Sequence, residues 1–496
     1  HMDGILAIDQ GTTSTKGIIF TTTGEIITTS RAPLHQIYPE DGWVEQDPNE
    51  IISSVLSVMT DCYRRSKEQG IRITSVGITN QRETTIIWDK TTGLPIYNAI
   101  VWQDRRTTKL IQSLKDQNLE DTIKAKTGLM LDPYFSASKI TWILDNVPNA
   151  RNLVKQNKLM FGTVDTYLIW KLTEGEVHAT DVTNASRTSL FNLTTLTWDD
   201  DLLEIYNIPK NILPNIKKCT DHYGDISKTF VGESFPIYGV AGDQQAALVG
   251  QSCFQEGQVK STYGTGCFAL VNTGSKILHS KNNLITTISY QLQDTLAYGL
   301  EGSIFIAGAS SDWLLDNLEV INNHSEIEQI CRSTPDDHNV YMVPAFTGLG
   351  APWWQPNARA AIYGLTRQTT KNEVVRAAIE SVAYQTNDLI TAMAKDGVDL
   401  SVMRVDGGMV SNHWFLQFLS NITRLQIQKP ANLESTSLGA AMLSGLGNDT
   451  ISSVDAIAGN WRSSFQTDIT MHIKERDRLT HRWIQGVKAT IAYHSD

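Results

Sequence analysis

The sequence predicts an α/β protein made of two domains of related design. Three observations indicate this fold: the chain has 496 residues, short apolar strands alternate with helical segments along it, and one strand–turn–strand pattern occurs twice. A single hydrophobic core seldom grows beyond about 250–300 residues, so a chain of this length is expected to divide in two. Alternating strands and helices are typical of α/β architectures.

The repeated pattern is a β-hairpin whose strands are joined by a turn rich in Gly and Thr. Its two copies are segments 5–9 and 16–20 around the turn 10–15, and segments 258–263 and 267–272 around the turn 264–266. Such turns join hairpins in many unrelated proteins, so the repeat alone is weak evidence for related domains. The evidence is stronger because one copy lies at the start of the chain and the other near its midpoint. We therefore predict domains over residues 1–250 and 251–496, each beginning with a hairpin.

The elements between the hairpins follow from the spacing of apolar residues. Spacing of three and four residues predicts helices over 49–66, 303–318, 371–395, 413–423 and 436–445. Short apolar runs predict strands over 26–30, 73–79, 340–343 and 403–405.

Composition excludes several classes of function. The net charge is −11, from 53 acidic and 42 basic residues without basic blocks, so nucleic-acid binding is not expected. Apolar runs are too short for stable membrane insertion. The five cysteines form no C-x-x-C pair, which indicates reduced thiols, and the start of the chain lacks the features of an export signal. A cytoplasmic location is therefore predicted.

Three Gly-rich turns that directly follow apolar strands are candidates for phosphate binding. They are residues 9–14, 263–267 and 405–409. The chain has neither a P-loop nor a Gly-x-Gly-x-x-Gly run that opens a helix after a strand. One such turn alone is more often only a hairpin turn, but three together favour binding of phosphate by backbone N–H groups and hydroxyls. Asp9, at the end of a strand, can hold Mg²⁺ through water.

Two further runs contain candidate polyol and catalytic groups. The run 80–84 follows a strand and contains Arg82 and Glu83, and Trp102 lies shortly after it. Charged groups and an aromatic ring suit a polyol, because hydroxyls both donate and accept hydrogen bonds while the CH groups pack on the ring. The alternatives are a solvated ion pair and a core tryptophan. Asp243, in the run 242–245, is either a general base or the N-cap of a helix.

Two segments, 134–146 and 360–380, match signature regions, and further matching runs extend over nearly the whole chain. On these residues the chain resembles the FGGY family of carbohydrate kinases. The resemblance implies two actin-like ATPase (ribonuclease H-like) domains with an interdomain cleft, ATP and Mg²⁺ as cofactors, and a homodimer or homotetramer.

The resemblance also implies roles for particular residues. Asp243 corresponds to the catalytic base, and Asp9 to the acidic residue that organises Mg²⁺. The polyol site would comprise Arg82, Glu83, Trp102, Tyr134, Asp243, Gln244 and Phe268. The nucleotide would contact Thr12, Thr13, Ser14, Lys16, Thr265, Gly266, Gly308, Asp312, Gly408 and Asn412. Lys16 and Asp312 depart from the family pattern, in which Arg and Gln are expected, and both changes bear on the nucleotide side.

The substrate expected from the run 80–84 is glycerol, since family members that act on xylulose and other sugars differ there. One alternative is a kinase for another small polyol or sugar, such as erythritol or a ketopentose. Another is a binding or regulatory protein on the same fold that has lost phosphoryl transfer. Asp9, Asp243 and the three Gly-rich turns favour an active enzyme.

Overall fold

Two large mixed β-sheets organise the chain in the computed structural model, which describes residues 2 to 495. The strands of the first half are β1 (Met2–Gln10), β2 (Ser14–Phe20), β3 (Ile26–Pro33), β4 (Glu45–Gln46), β5 (Ile71–Asn80), β6 (Ile86–Asp89), β7 (Ala99–Ile100), β8 (Leu159–Gly162), β9 (Ala179–Asp181), β10 (Phe191–Asn192), β11 (Thr197–Trp198), β12 (Asn215–Lys217), β13 (Asp225–Ile226) and β14 (Phe235–Gly242). Those of the second half are β15 (Gln258–Tyr263), β16 (Cys267–Gly274), β17 (Ile285–Gln291), β18 (Leu296–Ile304), β19 (Tyr341–Val343), β20 (Ala361–Tyr363), β21 (Val402–Asp406), β22 (Gln426–Pro430) and β23 (Ser463–Gln466).

The first sheet has the strand order β13-β14-β5-β1-β2-β3 and the second has the order β17-β18-β16-β15-β21-β22-β23. In the first, β1, β5 and β14 are parallel while β2 and β3 continue the sheet antiparallel. In the second, β15, β21 and β22 are parallel while β16 and β18 continue it antiparallel. The two hairpins predicted from the sequence therefore occupy equivalent places in two similarly connected sheets.

The helices pack on the faces of these sheets or in a separate apolar cluster with the short strands β6 and β8. They are α1 (Pro48–Glu68), α2 (Thr108–Asp116), α3 (Glu120–Thr127), α4 (Ser136–Asn146), α5 (Ala150–Lys155), α6 (Val164–Leu172), α7 (Val182–Ala185), α8 (Asp200–Tyr206), α9 (Asp243–Gly250), α10 (Gly308–Asp316), α11 (Ile327–Ser333), α12 (Lys371–Lys395), α13 (His413–Thr423), α14 (Ser435–Gly447), α15 (Val454–Asn460) and α16 (Ile473–Tyr493). Short 3₁₀ turns lie at Lys210–Ile212, His324–Glu326 and Gly408–Ser411.

The prediction of a helix over 303–318 is wrong at its start. Strand β18 continues to Ile304, where Ser303 and Ile304 pair with Phe268 and Cys267 of β16, and α10 begins only at Gly308. Ladder hydrogen bonds to the neighbouring strand outweigh the local apolar spacing here. The other predicted helices agree with α1, α12, α13 and α14 to within a few residues.

Strand β1 is buried on both faces because helices cover both sides of the first sheet. Leu6 and Ile8 pack in a cluster with residues of α1, whereas Ile5 and Ala7 pack in a cluster with residues of α14. This alternation follows from the period of two in a strand. Helix α14 comes from the second half of the chain, so it ties that half to the first sheet. None of the helices in the described residues combines the length and apolar character that a membrane crossing requires.

Candidate active site

The carboxyl ends of the parallel strands bring separate sequence runs together. Asp9 pairs with Thr79 in the register of β1 and β5, and Gly242 pairs with Asn80 in the register of β5 and β14. The first Gly-rich turn, the run 80–84 and Asp243 therefore leave the sheet along one edge. In open α/β sheets this edge is where ligands bind.

Asp243 is the first residue of α9, and Gly242 occupies the cap position. The interpretation of Asp243 as an N-cap is therefore wrong. One carboxylate oxygen accepts from the Gln244 backbone N–H at 2.8 Å and lies 3.4 Å from Arg82 Nε. The side chain remains 29% exposed. Burial raises the pKa of Asp243, and the Arg82 and Lys260 cations only partly offset that rise.

Arg82 and Glu83 are both buried and do not form the solvated ion pair considered above. Arg82 donates through Nη1 and Nη2 to both carboxylate oxygens of Glu301, at 2.6 and 3.1 Å. Glu83 accepts from Arg187 Nε at 2.6 Å, and Arg187 Nη1 lies 3.0 Å from Glu301. The result is a cluster of two guanidinium and two carboxylate groups at the base of the site.

The two carboxylates of the charge cluster have pKa values shifted in opposite directions. Burial alone would raise the pKa of Glu301, but the Arg187 and Arg82 guanidinium groups outweigh it and hold the pKa at about 2. Burial raises the pKa of Glu83, and Arg187 and Arg82 offset this rise only in part. Glu301 is therefore a fixed negative charge that orients Arg82.

Sequence reasoning missed Arg187, Glu301 and Lys260. Glu301 lies on β18, in the second sheet, and nothing in the local pattern pairs it with Arg82, which is 219 positions away. A usable signal was present, because a carboxylate inside an otherwise apolar strand needs a buried partner. Lys260, on β15, donates to Gln244 Oε1 and so fixes a residue that the sequence did predict.

Three aromatic side chains, Trp102, Tyr134 and Phe268, lie together beside the charge cluster. The Trp102 ring lies 5.8 Å from that of Tyr134 and 6.2 Å from that of Phe268, measured between centroids. The Arg82 guanidinium carbon lies 6.0 Å from the Phe268 ring centre. Phe268 comes from the second sheet and Trp102 and Tyr134 from the first half of the chain, so both halves supply walls of this site.

The first Gly-rich turn connects β1 to β2 and exposes several donors. Gly11 N–H donates to the Ser14 carbonyl at 2.9 Å and closes the turn, while Thr12 is half-buried and Thr13 exposed. The predicted contact Lys16 lies 3.2 Å from Glu434 Oε2. Burial, together with the Asp243 and Glu434 carboxylates, raises the pKa of Asp9 to about 7, although the Lys16 cation offsets part of the rise.

The second and third turns line a cavity of about 450 Å³ in the second half of the chain. Five of the predicted nucleotide contacts lie on its wall: Thr265, Gly308, Asp312, Gly408 and Asn412. Gly266 belongs to the same turn, where an added Cβ would come within 2.4 Å of the Ile304 carbonyl oxygen. One hairpin contributes to both places, because Tyr263 at the end of β15 lines the cavity and Phe268 near the start of β16 lies beside Arg82.

Two features of this cavity differ from a site in which free backbone N–H groups bind an anion. The N–H groups of Gly308 and Ala309 donate to the carbonyls of Gly264 and Thr265, so the first amides of α10 hold the turn in place. Asp312 lies 3.2 Å from His324 Nε2, and both side chains are about half exposed. The carboxylate at position 312 therefore has a cationic partner when His324 is protonated.

The acidic groups at the strand ends suit a Mg²⁺ ion that is held mainly by water and substrate. Within residues 2–495, no group of three or more His, Cys, Asp and Glu side chains is arranged to hold a metal ion. Mg²⁺ commonly uses one or two protein carboxylates together with waters and phosphate oxygens. Asp9, at the end of β1 with the Asp243 carboxylate nearby, fits this mode of binding.

Comparison with known proteins agrees with this geometry. Residues 4–250 match the N-terminal domain of the FGGY family of carbohydrate kinases, and residues 259–447 match its C-terminal domain. Glycerol kinase 1 of Clostridium tetani is 50% identical over 488 residues, which cover 98% of both chains. Glycerol kinase of Marinomonas sp. is 49% identical over 97% of this chain and 98% of its own length.

The same relationship appears in three dimensions. The crystal structure of Plasmodium falciparum glycerol kinase with ADP superimposes with a TM-score of 0.94 at 40% sequence identity, covering 99% of this chain and 98% of that one. This match confirms the predicted fold class of two actin-like domains. The chain belongs to the FGGY family of carbohydrate kinases.

Proposed function

We propose that this protein is a glycerol kinase, which transfers the terminal phosphoryl group of ATP to a terminal hydroxyl of glycerol. The products are glycerol 3-phosphate and ADP. The observation that carries the proposal is the place of Asp243, whose partly exposed carboxylate lies beside Arg82 and at the same sheet edge as the first Gly-rich turn. The full-length similarity to glycerol kinases supports the choice of substrate.

The proposed polyol site combines charged groups with aromatic walls. Arg82 and Glu83 bind neighbouring hydroxyls of the three-carbon chain, since a guanidinium group donates and a carboxylate accepts. Trp102 and Phe268 cover the CH groups, and Tyr134 and Gln244 complete the site. A site whose buried groups need particular hydroxyls discriminates strongly against substrates that leave those groups unpaired.

In the proposed reaction, Asp243 accepts the proton of the terminal hydroxyl as its oxygen attacks the γ-phosphorus in line with the leaving ADP oxygen. The raised pKa of Asp243 makes it a better base than an exposed aspartate. The donors of residues 12–14 and 265–266 bind phosphate oxygens, and Gly308, Asp312, Gly408 and Asn412 bind the rest of the nucleotide. A Mg²⁺ ion bound near Asp9 would neutralise phosphate charge.

The proposal also covers the domain bounds, the cellular location and the oligomeric state. We place the division at residues 1–250 and 251–496, which puts most of the polyol site in the first part and the nucleotide cavity in the second. We expect a cytoplasmic enzyme that works as a homodimer or homotetramer. The acidic net charge without basic blocks supports a small-molecule substrate rather than a nucleic acid.

A substrate panel tests the proposed function. ATP consumption is measured with glycerol, erythritol, xylulose and water as acceptors, and the product is identified as a monophosphate ester by mass spectrometry. We expect a kcat/KM with glycerol at least about a hundredfold above the others, the scale reached when buried hydrogen-bonding groups reject a wrong substrate. A preference for another acceptor would overturn the choice of glycerol, and hydrolysis of ATP without transfer would overturn the kinase assignment.

A further inference from the structure

One hydrogen bond joins the polyol wall to the first Gly-rich turn. The indole Nε1–H of Trp102 donates to the side-chain oxygen of Thr12 at 2.9 Å. Trp102 packs against Tyr134 and Phe268 on one side, and Thr12 belongs to the turn between β1 and β2 on the other. The contact therefore connects the parts of the site that bind two different substrates.

This contact determines which way the Thr12 hydroxyl points. An indole N–H can only donate, so the hydroxyl oxygen is the acceptor and its single hydrogen must be directed elsewhere. Among the hydrogen bonds of residues 2–495, none is donated by the Thr12 hydroxyl. The hydrogen is free to bond with an acceptor that enters the turn. A phosphoryl oxygen is such an acceptor.

The backbone of Thr12 is fixed by a second set of bonds from the same region. Gln46 Nε2 donates to the Thr12 carbonyl at 2.6 Å, and Gln46 Oε1 accepts from Gln81 at 2.9 Å. Thr84 Oγ1 donates to Gln81 Oε1 at 2.8 Å and accepts from the Trp102 backbone N–H at 3.2 Å. Trp102 is therefore connected to Thr12 twice. Its indole bonds directly to the Thr12 hydroxyl, and its backbone N–H is linked to the Thr12 carbonyl through Thr84, Gln81 and Gln46.

We propose that Trp102 is a positioning residue for phosphoryl transfer: its indole N–H commits the Thr12 hydroxyl to donate to a phosphoryl oxygen. The residue that lines the polyol pocket thereby also prepares the phosphate turn. This inference rests on the proposed function, because it requires the polyol and the nucleotide to bind in the same cleft. It assigns Trp102 a role that packing against the polyol alone does not include.

A double-mutant cycle tests this role. Trp102→Phe keeps an aromatic face but removes the N–H, and Thr12→Val keeps the shape but removes the hydroxyl. With both substrates saturating, each change is expected to lower kcat about three- to tenfold, the range for loss of one neutral hydrogen bond. The double variant should be no slower than Thr12→Val alone. Losses that multiply would overturn the proposal.

Two comparisons separate this role from simple packing. Thr12→Ser retains a hydroxyl, so Trp102→Phe should still lower kcat in that background. The KM for glycerol should rise with Trp102→Phe in every background, because the smaller ring covers less of the polyol. If Trp102→Phe changed only the KM for glycerol and left kcat unaltered, the indole N–H would have no positioning role.

If the proposed function is wrong, the wild-type protein shows no glycerol-dependent turnover of ATP. The positioning role of Trp102 is then tested by binding alone: calorimetry gives the Kd of a non-hydrolysable ATP analogue for the wild type and the same variants. The inference then predicts that each single change raises the Kd about three- to tenfold and that the double variant matches Thr12→Val. Independent effects on the Kd would overturn it.

Discussion

Asp243 differs from the charged side chains around it in remaining partly open to solvent. Its side chain is 29% exposed, whereas those of Arg82 and Glu301 are 2% exposed. Glu301 is bound by two guanidinium groups and is held ionised, so it has no capacity to accept a proton near neutral pH. Asp243 is bound weakly enough to take one. This division of roles among neighbouring carboxylates is set by their environment.

Replacement of the proposed base gives the first prediction. Asp243→Asn keeps the size and one acceptor of the side chain but cannot take a proton, so we expect kcat to fall at least about a hundredfold. Glycerol should still bind, because Arg82 and Glu83 remain in place. Steady-state kinetics and calorimetry with glycerol measure the two effects. Turnover near that of the wild type would remove Asp243 from its role.

The carboxylate that bridges two arginines gives the second prediction. Glu301→Gln leaves Arg82 and Arg187 buried with one carboxylate fewer, so we expect a loss of about 3–5 kcal/mol in the free energy of unfolding. The KM for glycerol should also rise, since Arg82 loses its fixed partner. Glu256→Gln, at an exposed position, is the matched control and should leave the melting temperature nearly unchanged. Equal stability of the two variants would show that Glu301 does not stabilise the buried arginines.

At the scale of elements, α9 and α14 cross at a distance that only glycine allows. An added Cβ at Gly439 would lie 1.7 Å from the Ala246 carbonyl oxygen, and one at Gly250 would lie 1.8 Å from the Ser435 carbonyl oxygen. Helix α9 begins at Asp243, so the close crossing also fixes the helix that presents the proposed base. Packing and chemistry therefore depend on the same contact.

The crossing of α9 and α14 gives the third prediction. Gly439→Ala would force the two helices apart, and we expect a destabilisation of at least about 2 kcal/mol, with lower kcat because Asp243 moves with α9. Gly459→Ala is the control, because it also lies in a helix but nothing stands within 4 Å of its added Cβ. That control should be neutral or more stable by about 0.5–1 kcal/mol. Thermal unfolding compares them, and similar effects of the two changes would exclude close packing as the cause.

A buried carboxylate on α12 gives the fourth prediction. Asp388 accepts from the indoles of Trp353 and Trp483 at 3.1 and 2.9 Å, and burial raises its pKa from 3.8 to about 7. The folded protein therefore favours the protonated form of Asp388, and ionisation of this group lowers the free energy of unfolding as the pH rises from about 4 to 7. Above pH 7 this loss of stability is complete.

Asp388→Asn removes this cost while keeping an acceptor for both indoles. We expect the stability of the variant relative to wild type to increase by about 3 kcal/mol between pH 5 and pH 8. Melting temperatures of both proteins at the two pH values provide the measurement, and the other titrating groups cancel in the comparison. A difference that is the same at pH 5 and pH 8 would show that Asp388 does not titrate in this range.

Across the whole molecule, the elements that the sequence predicts correctly are those that depend on residues close together in the chain. The hairpins around 10–15 and 264–266 and the long helix 371–395 were found because strand and helix periodicities are local. The start of α10 was missed because β18 continues through pairing with β16, a contact between residues more than thirty positions apart. Pairing of this kind leaves little trace in a short window.

The candidate site shows the same limit. The runs 80–84 and 242–245 indicated Arg82, Glu83 and Asp243 as candidates and the resemblance to a family implied their roles, and the structure places them together at one sheet edge. Neither source indicated Glu301 or Arg187, whose role depends on tertiary contacts between distant parts of the chain. A charge that is neutralised across the molecule is recognisable only once both partners have been placed.

A crystal structure with glycerol and a non-hydrolysable ATP analogue tests directly whether Asp243 is the base. We expect a terminal glycerol oxygen about 2.6–3.2 Å from a carboxylate oxygen of Asp243 and about 3–3.5 Å from the γ-phosphorus. Arg82 and Glu83 should bind the other hydroxyls. Glycerol bound away from Asp243, or a γ-phosphate that cannot approach the glycerol oxygen in line, would exclude Asp243 as the base.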